Sequence, residues 1–248
     1  MTSTPRSPSA PPAAPLGRPP REIGTVVVTG GSSGLGAALV DAVLAAGGRP
    51  AVLDRAEPKT DVPYVEVDLA GPAADIADAV ERLVAEVGEP DAVVTAAGTD
   101  ACGPLLEITP DAWERVVRVN LFGTASVVRA CLPYLERRQG VVVTVGSTLS
   151  LRGFPDATAY AASKFGVRGF TQALAAEYAG RVGVTLLVPG GMRTAFFDDR
   201  AEQYRPGPDA DLNDPADTAN AVLTALRQPV GSEIREMLVM ASGESSWP

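Results

Sequence analysis

Short apolar runs alternate with segments of helical periodicity from about residue 23 onward. The apolar runs predict seven strands, at 25–29, 51–53, 64–67, 92–95, 141–145, 184–188 and 237–240. Between them, apolar residues recur every three or four positions, which predicts helices over 34–46, 73–87, 111–137, 159–179 and 215–227. Pro133 is expected to kink the third of these helices near its end.

This order of elements predicts the fold class. The strands are apolar throughout rather than at every second position, which is typical of a parallel sheet buried on both faces. We therefore predict an α/β fold, a single-domain, Rossmann-type doubly wound parallel sheet of about seven strands with helices on both faces. Ligands of such sheets bind beyond the carboxyl ends of the strands, so functional residues are expected just after each strand.

The first 22 residues differ in composition from the rest of the chain. They hold seven prolines and no apolar stretch of the length that a signal peptide requires. We predict a disordered, Pro-rich N-terminal tail over 1–22, followed by one domain over 23–248. With neither an export signal nor a disulfide pattern, the predicted compartment is the cytoplasm.

Composition excludes several classes of function. The formal net charge is −9, so the chain lacks the basic surface of a general nucleic-acid or anionic-membrane binder. It contains no histidine, which excludes His-ligated zinc and histidine-based catalysis. Two cysteines, Cys102 and Cys131, are too few for a thiolate zinc site, so no metal is predicted. No run approaches the roughly 18 apolar residues of a membrane span.

A glycine-rich turn follows the first strand, reading Thr29-Gly30-Gly31-Ser32-Ser33-Gly34-Leu35-Gly36. Glycines let the backbone approach a pyrophosphate, and the start of the next helix attracts its charge. An ordinary strand-to-helix turn is the alternative interpretation. Because no lysine follows, a nucleotide triphosphatase is disfavoured. The predicted cofactor contacts of this turn are Gly30, Ser32, Ser33, Gly34, Leu35 and Gly36.

Acidic residues after the second and third strands bear on the choice of dinucleotide. Asp54 lies 18 positions beyond Gly36, where a carboxylate is expected to bond the adenosine ribose hydroxyls. Because that carboxylate repels a 2′-phosphate, NAD is predicted over NADP. Arg55 beside it is the one opposing residue, because an arginine there either stacks on adenine or meets a 2′-phosphate. Asp68, next to Leu69, is either a partner of the adenine amine or a helix cap or turn residue.

Five elements in order resemble the short-chain dehydrogenase/reductase family. They are the glycine motif of 29–36, Asn120, Ser147, the stretch Tyr160-Ala-Ala-Ser-Lys164, and Pro189-Gly190 after the sixth strand. The resemblance covers about residues 24–240. It implies a nicotinamide-dependent oxidoreductase that transfers a hydride to or from a small secondary alcohol or ketone. Each residue alone has an ordinary structural explanation, and the inference depends on their joint order and spacing.

The Ser, Tyr and Lys set has a direct chemical interpretation. Tyr160 and Lys164 are four residues apart and share a helix face, so the ammonium is expected to lower the tyrosine pKa from about 10. Tyr160 is then the general acid/base, and Ser147 bonds the same substrate oxygen. The resemblance implies that Lys164 also holds the nicotinamide ribose, and that Asn120 anchors a water linked to Lys164.

Two further loops carry predicted cofactor contacts. Many family members read Asn-Asn-Ala-Gly after the fourth strand, whereas this chain reads Thr95-Ala96-Ala97-Gly98. Ala97 and Gly98 still allow the backbone close to a cofactor. The resemblance also implies cofactor contacts at Pro189, Gly190, Met192 and Thr194, with Thr194 bonding the nicotinamide carboxamide.

Three segments, 99–105, 148–157 and 191–213, are expected to line the substrate pocket, and the third has the composition of a mobile lid. The candidate substrate contacts are Thr99, Cys102, Leu149, Phe154, Phe196 and Phe197. Arg152 and Arg193 are either partners of a substrate carboxylate or solvated surface charges. Cys102 is expected to be a small pocket or core residue rather than a nucleophile.

The resemblance also implies a homodimer or homotetramer, assembled through the helices over 111–137 and 159–179. Two other functions stay open. One is a catalytically silent dinucleotide-sensing regulatory or scaffold protein on the same fold, which the intact Ser147, Tyr160 and Lys164 argue against. The other is an epimerase or dehydratase of the extended branch, which is disfavoured because no second substrate domain is expected after residue 190.

Overall fold

The computed structural model describes residues 17–244 and 246. Within them it has seven strands and six α-helices. The strands are β1 (Thr25–Thr29), β2 (Arg49–Asp54), β3 (Tyr64–Glu66), β4 (Ala92–Thr95), β5 (Val141–Val145), β6 (Gly183–Pro189) and β7 (Glu236–Val239). The helices are α1 (Gly34–Ala45), α2 (Ala73–Val87), α3 (Pro110–Val117), α4 (Thr124–Arg138), α5 (Thr158–Glu177) and α6 (Pro215–Leu226).

All seven strands pair in parallel, in the order β3-β2-β1-β4-β5-β6-β7. The predicted fold class is confirmed. The strand order reverses between β1 and β4, so the segments that follow these two strands diverge to opposite sides of the sheet. The crevice between them is where a sheet of this topology binds its ligand.

A separate hydrophobic core covers each face of the sheet. On one face, α2, α4 and α5 bury apolar side chains such as Leu83, Leu135 and Leu174. On the other face, α1 and α6 bury side chains such as Leu39 and Val222. The strands contribute to both cores because their successive side chains point to opposite faces. Burial on both faces explains why the strands read as continuous apolar runs.

The predicted long helix over 111–137 is wrong as a single element. The structure divides it into α3, a π-helical turn at Arg118–Gly123, and α4. A π-helical turn accommodates an extra residue in the helix, a change that apolar periodicity does not reveal. Pro133 lies inside α4, which continues to Arg138.

Most of the predicted tail, residues 1–16, lies outside the described residues. The described part is attached to the domain. The Arg21 backbone N–H donates to the Arg227 carbonyl at 3.0 Å, and the Arg18 guanidinium donates to the Val230 carbonyl at 2.5 Å. None of the helices in the described part of the chain is long and apolar enough to cross a membrane.

Candidate active site

The turn between β1 and α1 packs directly against the chain that follows β4. Gly30 has a φ of +73°, and a Cβ placed on it would lie 2.8 Å from the backbone of Ala97. A Cβ on Gly36 would lie 2.0 Å from the Gly30 carbonyl oxygen. Neither position therefore accepts a side chain. The Ser33 side chain makes no capping bond, so the first N–H groups of α1 have no acceptor from it. Ser33, Gly34 and Leu35, at the start of this helix, line the cavity.

The Asp54 carboxylate lies at the end of β2 beside this turn. Its Oδ2 accepts hydrogen bonds from the Ser32 backbone N–H at 2.9 Å and from the Ser32 hydroxyl at 2.6 Å. Its Oδ1 accepts from the Arg55 N–H at 2.6 Å. Asp54 therefore braces the glycine turn, and both Asp54 and Arg55 line the large cavity of the protein.

Asp68 is held by the protein itself. Its carboxylate accepts from the Ala70 N–H at 2.9 Å and pairs with Arg115 at 3.2 Å. Burial raises the pKa of Asp68, but the Ala70 and Arg115 hydrogen bonds outweigh that effect and lower it. These contacts are those of a turn residue, and the N-cap of α2 is Pro72, whereas the contact of Asp68 with the adenine amine stays a prediction.

Ser147 and Tyr160 meet beyond the carboxyl end of β5. Ser147 directly precedes a short 3₁₀ turn at Thr148–Ser150, and its hydroxyl accepts from the Leu149 N–H at 3.2 Å. Tyr160 lies in the first turn of α5 and shares a hydrogen bond with Ser147. Burial raises the pKa of Tyr160 to about 12, and the bond with Ser147 opposes this shift only in part.

Lys164 is buried one helical turn further along α5. Its Nζ donates to the Val145 carbonyl at 2.9 Å and lies 5.6 Å from the centre of the Tyr160 ring. Burial lowers the pKa of Lys164 to about 8. The expectation that Lys164 lowers the tyrosine pKa is wrong for this structure, because loss of hydration dominates at both residues.

Asn120 lies in the π-helical turn and ties three segments together. Its Oδ1 accepts from the Thr99 N–H at 2.8 Å, and its Nδ2 donates to the Thr99 carbonyl at 2.9 Å and to the Ser163 hydroxyl at 3.0 Å. A Cβ placed on Gly98 would lie 3.5 Å from Asn120 Oδ1 and 3.7 Å from Lys164 Nζ, so both atoms face the same space. Asn120 thus fixes the loop after β4 against α5.

One cavity of about 700 Å³ joins these groups. Of the predicted site residues, it is lined by Gly30, Ser33, Gly34, Leu35, Asp54, Arg55, Asp68, Leu69, Ala97, Gly98, Ser147, Tyr160, Lys164, Pro189, Gly190, Met192, Thr194, Thr99, Cys102, Leu149, Phe154, Phe196 and Phe197. Ser32, Gly36 and Asn120 are not part of its lining. Ser32 and Asn120 support that lining through their hydrogen bonds.

Residues from the segment 191–213 form much of the wall at the Tyr160 end. The Phe196 ring packs 5.8 Å from the Tyr160 ring, between centroids. A Cβ on Gly34 would lie 3.5 Å from the side chain of Thr194, so this segment also reaches the glycine turn.

The Cys102 thiol, in the loop after β4, donates to the Asp100 carboxylate at 3.2 Å, and burial together with that carboxylate raises the pKa of Cys102 to about 12. Such a thiol is a poor nucleophile.

Six further residues line this end of the cavity. Asp100, Asp156, Arg200 and Tyr204 lie in the three segments expected to line the pocket but were not named as candidate contacts, whereas Glu244 and Ser246 lie outside those segments and were missed. The Ser246 hydroxyl donates to the Thr148 hydroxyl at 2.9 Å, so Ser246 lies against the 3₁₀ turn on one side of the cavity. Arg152 and Arg193, the arginines considered for a substrate carboxylate, are exposed and do not line the cavity.

Comparison with known proteins agrees with this architecture. The family model described as short chain dehydrogenase matches residues 24–205. The chain is 33% identical over 228 residues to a short chain dehydrogenase of Pseudocercospora fijiensis, which covers 86% of this chain and 68% of that protein. It is 34% identical over 182 residues to the 2-dehydro-3-deoxy-L-rhamnonate dehydrogenase (NAD(+)) of a Sphingomonas species, covering 69% of this chain and 73% of that protein.

A solved structure shares the fold. The alcohol dehydrogenase of Thermococcus sibiricus, complexed with 5-hydroxy-NADP, superimposes with a TM-score of 0.79 at 24% identity, over 89% of this chain and 97% of that one. This likeness shows the fold, and the family match over most of the described domain settles the classification. The chain belongs to the short-chain dehydrogenase/reductase family and is an oxidoreductase of CH–OH groups.

Proposed function

We propose that this protein interconverts a small secondary alcohol and its ketone with a nicotinamide dinucleotide, preferably NAD, and that Tyr160 is the general acid/base. The observation that carries the proposal is the meeting of Ser147, Tyr160 and Lys164 in one cavity with the glycine turn. Ordinary packing does not require a buried lysine beside a half-buried phenol at the edge of a cavity.

The residues present fit a dinucleotide. The glycine turn leaves no room for side chains at Gly30 and Gly36, and the start of α1 lines the cavity without a side-chain cap, which suits a pyrophosphate. Asp54 would hold the adenosine ribose, and Lys164 the nicotinamide ribose. Pro189, Gly190, Met192 and Thr194 would line the nicotinamide end. When bound, the nicotinamide supplies or accepts the hydride.

The chain's own residues handle the proton and the developing charge. A substrate oxygen next to Tyr160 also lies within reach of the Ser147 hydroxyl, which stabilises negative charge on that oxygen. Because its pKa is about 12, Tyr160 keeps its proton at neutral pH and can donate it to a carbonyl. Alcohol oxidation requires the phenolate, so its rate is expected to rise with pH. Asn120 and Lys164 face one space, where the proposed water would link them.

Asp54 supports the preference for NAD. Its carboxylate already accepts three hydrogen bonds from Ser32 and Arg55, so it stays in place and repels a 2′-phosphate. Asp54→Ala is expected to raise the ratio of kcat/KM with NADP to that with NAD at least tenfold. Asp61→Ala, which removes an exposed acid seven positions further along the chain, is the control and is expected to leave the ratio unchanged.

We also propose that the protein assembles as a homodimer or homotetramer. Phe122 in the π-helical turn and Phe165 in α5 are exposed by 57% and 44%, which supports packing of these helices against a second copy. Light scattering of the purified protein is expected to give two or four times the mass of one chain. A measured mass equal to that of one chain would contradict the proposed oligomer. The cytoplasm stays our predicted location.

The direct test is a turnover screen. The absorbance of reduced nicotinamide would be followed with NAD and NADP separately, over secondary alcohols, polyols, sugars and hydroxy acids, with the matching ketones in reverse. We expect turnover with at least one alcohol or ketone pair, and faster with NAD. Tight NADH binding without any turnover would instead favour the dinucleotide-sensing alternative. Binding of neither dinucleotide would refute the cofactor assignment.

A further inference from the structure

A buried ion pair spans the Tyr160 end of the cavity. Arg200 of the segment 191–213 pairs with Asp100 of the loop after β4, and its Nη2 lies 2.5 Å from the Asp100 Oδ2. The Asp100 side chain is 6% exposed and that of Arg200 is 20% exposed. Removing one member of such a pair leaves the other charge buried and uncompensated, so each holds the other in place.

The guanidinium of Arg200 is enclosed on its other sides. Its central carbon lies 5.3 Å from the centre of the Phe196 ring and 4.6 Å from that of Phe197. Its Nη1 donates to the Tyr204 carbonyl at 3.3 Å. Because Phe196 in turn packs against Tyr160, the pair lies beside the proposed reaction centre.

Both charges act on the reaction centre, and they act in opposite directions. Asp100 raises the pKa of Tyr160, whereas Arg200 lowers it. Asp100 also accepts the Cys102 thiol hydrogen at 3.2 Å. A substrate at Tyr160 therefore meets a guanidinium whose charge is already balanced.

Within the part of the chain that the structure describes, Lys164 is the one other cation that lines the cavity at this end, and the Val145 carbonyl already accepts from it. Among the described residues, the cationic side chains that line the cavity are Arg55, Arg115, Lys164 and Arg200. Arg55 and Arg115 lie at the opposite end, next to Asp68. Lys164 donates to the Val145 carbonyl and faces Asn120 across Gly98.

Three further carboxylates contribute to the charge of this cavity. Asp156 accepts the Tyr204 hydroxyl at 3.1 Å, Asp211 accepts the Gly243 N–H at 2.9 Å, and Glu244 accepts the Gly191 N–H at 2.8 Å. These three carboxylates line the same cavity. A carboxylate on the substrate would therefore meet net negative charge.

We propose that the Asp100–Arg200 pair makes the site select substrates whose substituents beside the reacting carbon are uncharged, and exclude keto acids and hydroxy acids. The inference rests on the proposed function and narrows its substrate class. It differs from the alternative weighed from the sequence, in which an arginine of these loops binds a substrate carboxylate. An arginine, Arg200, does line the cavity, but its guanidinium is already paired with the Asp100 carboxylate.

Charge selection is measured by titrating ligands that differ in charge and little in shape. Isothermal titration in the presence of NADH would use phenylacetamide, phenylacetate and 2-phenylethylammonium. The wild-type protein is expected to bind phenylacetamide at least tenfold more tightly than phenylacetate. Tighter binding of phenylacetate, or no binding of phenylacetamide, overturns the proposal.

Two variants release one charge each. Asp100→Asn frees Arg200 and is expected to raise the affinity for phenylacetate by about tenfold or more relative to phenylacetamide. Arg200→Gln frees Asp100 and is expected to raise the affinity for 2-phenylethylammonium by about the same factor. Asp199→Asn removes an exposed carboxylate of the same segment and serves as the matched control, with unchanged ratios.

Thermal melting shows which variants fold. Either expected gain in affinity supports the proposal by itself, because one variant gains affinity for an anion and the other for a cation. The proposal is overturned if every folded charge-releasing variant keeps wild-type ratios, or if the Asp199→Asn control changes them equally. If neither variant folds, the wild-type ratio decides. The titrations do not use turnover, so an inactive protein with the expected ratios contradicts the proposed function, while an active protein without them contradicts only this inference.

Discussion

Gly30→Ala tests whether the glycine turn is shaped for close packing against the chain after β4. Gly30 has a φ of +73°, where an alanine costs about 1–2 kcal/mol. Its Cβ would also lie 2.8 Å from the Ala97 backbone, and such overpacking costs about 1–3 kcal/mol more. We therefore expect Gly30→Ala to lower the free energy of unfolding by about 2–5 kcal/mol.

Gly47→Ala is the matched control, because Gly47 has a φ of +80° and an added Cβ there would meet nothing within 4 Å. It is expected to cost only the backbone strain, about 1–2 kcal/mol. Urea unfolding gives both values, and NADH fluorescence titration gives cofactor affinity. Gly30→Ala is expected to weaken NADH binding at least tenfold, and Gly47→Ala to leave it unchanged. Equal destabilisation, or equal NADH affinity, in the two variants would contradict the close packing of Gly30 against the chain after β4.

Three other predictions concern single groups. The pKa of Lys164 is about 8 when folded against 10.5 for an ordinary lysine, so the unfolded state binds more protons between these values and stability from this residue rises with pH. The free energy of unfolding of the wild type, measured in urea relative to that of Lys164→Met, should therefore rise by roughly 1–3 kcal/mol from pH 8 to 10. A difference between the two proteins that stays constant over this pH range contradicts the prediction. Thr95 Oγ1 is buried and has no hydrogen-bond partner among the described residues, so Thr95→Val should raise the free energy of unfolding by about 1 kcal/mol, and a loss of stability contradicts the assignment. Asp91 accepts the first N–H of β1 at 2.8 Å and two bonds from Arg138, so Asp91→Ala should cost about 2 kcal/mol, whereas Glu89→Ala, which removes an exposed ion pair, should cost less than about 0.5 kcal/mol. Equal costs contradict that ranking.

The sheet was predictable because its determinants are local. Each strand is a short apolar run, and burial on both faces makes that run continuous. The glycine turn and the set of Ser147, Tyr160 and Lys164 follow their strands or share one helix face, so spacing along the chain was enough to bring them together. The π-helical turn at Arg118–Gly123 was not predictable, because apolar periodicity is insensitive to one extra residue.

The rest of the pocket depends on contacts between distant segments. Asp100 and Arg200 are 100 positions apart, and nothing near either residue marks the other as its partner. The tyrosine pKa was wrongly expected to fall, because the sequence shows the neighbouring lysine but not the burial of both groups. Burial is a property of the folded chain, and it decided both shifts.

The role of Tyr160 as general acid/base is tested most directly by comparing the turnover of Tyr160→Phe with that of Tyr178→Phe on an alcohol and ketone pair that the wild type converts. Tyr178 ends the same helix and stacks on Arg181, outside the cavity lining. We predict that Tyr160→Phe loses nearly all turnover while NADH affinity and melting temperature stay close to wild type, and that Tyr178→Phe keeps its turnover. Turnover by Tyr160→Phe within a few fold of the wild type would contradict the account.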